Sequence, residues 1–183
     1  MICSRYEIHV VCQYIVFRQP WFERSFTFDL PVTAAPGLVE RLRGTPVRLR
    51  ERVGGLPAVR LVAKRGDQWS IQENVGHLWD LEPLWMTRVE EIAAGKAILQ
   101  AADLQNRRTH DANHNARPVA ELLNGFEVAR AALVSRLEAV GDAGWLRSAK
   151  HPRLDMQMRL LDLAYFVAEH DDHHLATITE LRR

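Results

Sequence analysis

Toward the C-terminal end of this 183-residue chain, the run His170-Asp171-Asp172-His173-His174 sets two histidines one helical turn apart. On a helix turning about 100° per residue from His170, His174 falls at about 40°, Leu163 and Leu181 at about 20° and Val167 at about 60°. Both imidazoles therefore lie inside an apolar stripe, whereas His173 lands at its border and is the weaker candidate. Imidazoles on a core face are costly unless their ring nitrogens find partners. A divalent metal supplies one at this i, i+4 spacing, and a pair of hydrogen-bonded core histidines is the other reading. On a second helix His77 lies on the inward flank of a stripe containing Leu81, Leu84 and Trp85, which makes it the third ligand candidate. Three imidazoles accept zinc, nickel, iron or manganese and leave positions open for water or substrate. The metalloprotease pattern H-E-x-x-H shares the spacing, but Asp171 with its shorter reach stands where that motif has Glu, so a protease is disfavoured.

Four helical stretches could carry these residues. The first, from Pro36, has Leu38, Leu42, Leu49, Val53 and Leu56 at helical spacing, and Gly44-Thr45-Pro46 reads as a break into two pieces. Pro57 to Gln68 reads as a connection. Ser70-Ile71-Gln72-Glu73 is a capping box that starts a second helix at Ile71, running to about Ala94 with a kink at Pro83. Asp103 to Arg117 reads as a long polar connection with His110 and His114 solvated. A third helix opens at Pro118, with Val119, Leu122, Phe126, Ala129, Leu133 and Leu137 on one stripe, and stops at Gly141. Asp155 can cap the fourth, from about Met156 to near the C-terminus. Four such stripes and no second strand predict an all-α, antiparallel four-helix bundle over residues 34–183. Residues 1–25, rich in β-branched and aromatic types, read as an extension, disordered or loosely docked, that could form one strand.

Composition narrows the partners. Hydrophobic residues make up 47% and charged residues 26%, with 24 basic against 23 acidic side chains and a net charge of +1. No chain-wide field attracts nucleic acid or anionic lipid. Arg41, Arg43, Arg48, Arg50, Arg52, Arg60, Lys64 and Arg65 form a basic run that reads as a solvated helix face, with a docking surface as the sharper alternative. Cys3 and Cys12 are the only cysteines, so no disulfide framework organises the core and a cytoplasmic location is expected. The apolar stretch Ile8 to Phe17 is too short for a membrane span and no signal-peptide cleavage site follows it. Leu161, Leu175, Trp79 and Met86 fall on outward faces of their wheels, which suggests a homodimer.

The segments Trp69-Ser70-Ile71-Gln72-Glu73-Asn74-Val75-Gly76-His77-Leu78, with Asp80, Glu82, Trp85 and Arg88, and Phe166 through Leu175 resemble the second-helix and last-helix signatures of the DinB-like (DinB/YfiT) superfamily. A weaker likeness to its third helix spans Ala120 to Arg130. The resemblance runs from about Leu38 onward and implies a metal-binding four-helix bundle whose ligands are His77, His170 and His174. It further implies a metal-dependent transferase acting on a small molecule with a low-molecular-weight thiol. A metal-dependent hydrolase, or a non-catalytic bundle whose ion ties two helices, is the alternative. No side chain stands out as a general base, and Asp171 and Asp172 read as solvated or supporting.

Overall fold

The structure, a computed structural model, describes residues 19–183. The strand expected within the first 25 residues, both cysteines and the stretch Ile8 to Phe17 lie outside the described residues, apart from Gln19 to Ser25. Four long helices, α1 (Ala35–Val53), α3 (Ile71–Ala93), α5 (Val119–Glu138) and α7 (Leu160–Leu181), form a four-helix bundle. Three short helices, α2 (Ala58–Val62), α4 (Arg107–Asp111) and α6 (Asp142–Trp145), sit in the connections.

Helix directions follow from the contacts. Arg41 reaches Asp172 and Arg52 reaches Thr179, so α1 and α7 run parallel. Glu82 meets Arg130 and Glu90 meets Arg136, so α3 and α5 are also parallel. Arg43 to Glu138 against Arg50 to Glu127 makes α1 antiparallel to α5, and Asn74 to His174 against Trp85 to Phe166 makes α3 antiparallel to α7. The order is up-down-down-up. Because α3 and α5 point the same way, the chain between them must travel back along the bundle, which explains the long connection after Ala93. On its way it delivers Thr109 and His114 into the interior, where they are 4% and 1% exposed.

Several local expectations are corrected. Gly44-Thr45-Pro46 does not break α1, which is continuous through a buried Pro46. Proline removes one i→i−4 bond and leaves the Leu42 carbonyl without its helical donor. Arg130 Nη1 fills that vacancy at 3.3 Å, and Thr45 Oγ1 bonds Asp171 Oδ2 at 2.7 Å. The capping box at Ser70 is present as expected. The fourth helix starts at Leu160, because the residues before it form an antiparallel hairpin, β1 (Ser148–His151) with β2 (Met156–Arg159). Asp155 caps nothing and sits at φ 55° in the hairpin turn. His114 is not solvated: its ring lies against Gly76, where any Cβ would overlap it, so the close approach requires glycine. The Asp171 carboxylate is fully buried and not solvated.

The basic run ties helices together. Arg41 pairs with Glu169 and Asp172, Arg48 with Asp172, and Arg50 with Glu127, while Arg60 donates to the Arg182 carbonyl at the end of α7. The outward faces also prove occupied: Leu161 and Leu175 are buried in the core, Met86 packs against it, and Trp79 lies under the Arg117 guanidinium and over Gly125. The apolar faces that suggested a homodimer are thus used within the chain.

Two apolar clusters fill the bundle, one around Leu42, Trp85, Ile92, Leu133 and Phe166, the other around Leu49, Ile71, Leu78, Phe126 and Ile178. Besides the cluster side chains the interior holds a charged group: Arg130 bonds Glu82 at 2.6 Å and also Asp171, with all three side chains at most 2% exposed. Burial favours the neutral form of Glu82 and raises its pKa, against the opposing pull of Arg130. Breaking such a group strands uncompensated charge. Arg130→Met is expected to lower unfolding free energy by about 3–5 kcal/mol in urea titrations, more than an exposed pair such as Arg136 with Glu90 would lose.

Candidate metal centre

His77 comes from α3, and His170 and His174 from α7, all three nearly fully buried. One ring nitrogen from each lies within 4.8 Å of the other two, so the structure brings the three candidates together at one height. His170 Nε2 and His174 Nε2 are 3.2 Å apart. Two nitrogens bound to one tetrahedral zinc at about 2.0–2.1 Å would be separated by about 3.4 Å. His173 is half-buried beside the site, with its ring against Trp21 and His174.

The tautomers of two rings are set by their neighbours. Asn74 Nδ2 donates to the carbonyls of Trp69 and Ser70, which turns Oδ1 toward His174. His174 Nδ1–H therefore donates to Asn74 Oδ1 at 2.8 Å, leaving the lone pair on Nε2. Thr109 Oγ1 donates to Asp80 Oδ2 at 2.9 Å and so accepts from His77 Nδ1–H at 3.0 Å, leaving the His77 lone pair on Nε2. Asp80 is held in turn by His114 Nε2 at 2.8 Å. Such outer partners orient the ligands of a metal and raise their basicity. His170 Nδ1 is buried with no hydrogen-bond partner.

Burial, the largest cause, pushes the His77 pKa down to about 4 and that of His170 well below its ordinary value. Neighbouring imidazoles push both in the same direction, and Asp80 opposes at His77. The two rings are neutral at physiological pH, the state a metal ligand requires. Converging lone pairs and matched spacing together fit a divalent cation.

A cavity of about 490 Å³ adjoins the triad. Trp69 lies against His77 and His174, Trp85 against His170, and Trp21 edge-on to His170 at 4.9 Å. Trp21 belongs to the segment before α1, so part of the expected extension forms a wall of the site. Sequence reasoning missed Thr109, His114 and Trp21 as contributors. Asn74 and Asp80 flank His77 at one-turn spacing, a signal that could have marked them, whereas nothing in sequence ties Thr109 to α3.

Replacing His77, His170 or His174 by Ala should each remove most bound metal, measured by plasma mass spectrometry after dialysis, while His173→Ala keeps it. Asn74→Leu or Thr109→Val, which leave the three ligands in place, should weaken metal affinity by about 10–100-fold in competition with a chromogenic chelator.

Comparison with known proteins bears on the fold and the family. No curated protein matches the chain significantly. Among solved structures, YfiT from Bacillus subtilis, described as a probable metal-dependent hydrolase with an unusual four-helix bundle topology, superposes with a TM-score of 0.77 at 20% identity, covering 88% of this chain and 93% of that one. The family model of the DinB superfamily matches residues 41–178, most of the chain, and the chain belongs to that superfamily.

Proposed function

We propose that the protein is a metal-dependent transferase that joins a low-molecular-weight thiol to an electrophilic small molecule. The observation that carries this reading is a set of three histidines that open onto a large aromatic-walled cavity and, among the described residues, are not sealed by a fourth protein ligand, since structural sites close their coordination shell. A divalent ion held there by neutral imidazoles supplies Lewis acidity that lowers the pKa of a nearby thiol or water.

The chain's own groups do the rest. Asn74 and the Thr109–Asp80 pair hold the rings in one orientation. Trp21, Trp69 and Trp85 exclude water around the reacting atoms, which strengthens electrostatic interactions there. In the transfer, sulfur forms a bond to carbon, the bond from that carbon to its leaving group breaks with its electron pair, and the thiol proton goes to solvent. Thiolate attack needs no protein base once the thiol is ionised. The carboxylates nearest the site are engaged: Asp80 by Thr109 and His114, Asp171 by Arg130 and Thr45, and Asp103 by Arg107.

Hydrolysis is the second reading, favoured by the description of YfiT as a probable metal-dependent hydrolase. Protein loaded separately with zinc, nickel, iron(II) or manganese and given cysteine or glutathione with 1-chloro-2,4-dinitrobenzene should form the thioether faster than buffer, and His77→Ala should abolish the excess. Cleavage of p-nitrophenyl esters without thioether formation would favour the hydrolase. Full metal occupancy with neither reaction, across a wider panel of thiols and electrophiles, would reduce the ion to a tie between α3 and α7.

A further inference from the structure

We propose that Arg88, His151 and Arg153 form an anion-binding subsite in the same cavity, so that its ligand is an amphipathic organic anion whose apolar body lies on the aromatic walls. The inference deepens the proposed function by naming a substrate class, and depends on it only for what happens at the histidines.

All three side chains line the cavity. Trp85 touches both His170 and Arg88, whose guanidinium carbon stands 5.5 Å from the ring centre, so one side chain separates this cluster from the triad. Arg88 is 1% exposed, with Nε and Nη2 donating to the Gln100 carbonyl at 3.0 and 2.8 Å. Among the described residues no carboxylate lies within ion-pair distance of Arg88 or Arg153. The nearby Glu91 is already held by Lys96 and by the Gln100 amide. Elsewhere in the interior, Arg130, Glu82, Asp171 and Asp162 all have charged partners.

The polar atoms here conflict. His151 Nδ1 accepts from the Leu154 amide at 3.1 Å, which places the proton of the neutral ring on Nε2. That N–H faces Arg88 Nη1 at 3.2 Å, donor against donor. Burial first, then both guanidiniums, keep the ring neutral with a pKa of about 4. The Arg153 guanidinium carbon stands 5.5 Å from the Phe22 ring centre and 5.9 Å from that of Phe166, and its Nη2 is buried with no partner. On one cavity wall Arg88 Nη1, the His151 N–H and Arg153 Nη2 are thus left without an acceptor, an arrangement that is costly when dry. A water would accept a bond but leave both charges uncompensated. An anionic oxygen answers both needs, and guanidinium forks bind carboxylate and phosphate with charge-assisted bonds.

Calorimetric titration with 4-phenylbutyrate, 3-phenylpropyl phosphate and neutral 4-phenylbutyramide tests this, on zinc-loaded protein and after chelation. At least one anion should bind tenfold or more tightly than the amide in both states, and the order of the two anions tells carboxylate from phosphate. Arg153→Met, and independently Arg153→Gln, should erase the preference while leaving amide binding in place. Equal affinities, no anion binding, or a preference that survives both variants would overturn the subsite. A preference seen only with zinc would place the anion at the histidines, sinking the subsite and sparing the metal reading. A preference in protein that takes up no zinc would do the reverse.

Discussion

The guanidinium of Arg130 on α5 touches every other long helix: Glu82 on α3, Asp171 on α7 and the Leu42 carbonyl on α1. Apolar stripes alone tolerate sliding and rotation, because one methyl substitutes for another. A buried charge does not, since any register that leaves it short of partners strands an ion in a low-dielectric interior. The bundle therefore has one height and one rotation at which its centre is satisfied. Asp171 turned toward Arg130 leaves His170 and His174 facing α3, and Glu82 in its place sets His77, less than two turns away, opposite them.

Around the histidines the supporting bonds come from two sources. Asn74 shares α3 with His77 but orients His174 across the gap, so α3 steadies a histidine of α7. Thr109 comes from the returning connection and orients His77, with Asp80 and His114 behind it. The up-down-down-up order makes that connection long, and its length is what allows it to reach the interior. Helix direction and site chemistry are in this sense one design.

The four long helices and the inward placing of the three candidate histidines were legible because both are written in periodicity: stripes at helical spacing, a capping box, and imidazoles within or beside the stripes. What stayed hidden depends on contacts between distant segments. Gly44-Thr45-Pro46 looks like a break because local rules count the lost N–H, and only the partner on α5 explains why the helix continues. The hairpin at Ser148–Arg159 is four residues a side, too short for alternation to show, and its free edge is held by residues 97–99. His114 sits in a polar stretch, so composition places it in water, although the absence of a side chain at Gly76 makes room for it inside. The basic run looks solvated until its carboxylates on other helices are known.

The open carbonyl behind Pro46 has a bearing on how the protein comes together. A helix with a gap in its ladder and a glycine beside it has little tendency to persist alone. What closes the gap in α1 is a donor from α5, itself aimed by acids on α3 and α7. Regularity in the first helix is thus conferred by assembly of the other three. Such a molecule is built to gain or lose its order in one step rather than to fray helix by helix, and its first helix serves as a reporter of whether the whole has formed.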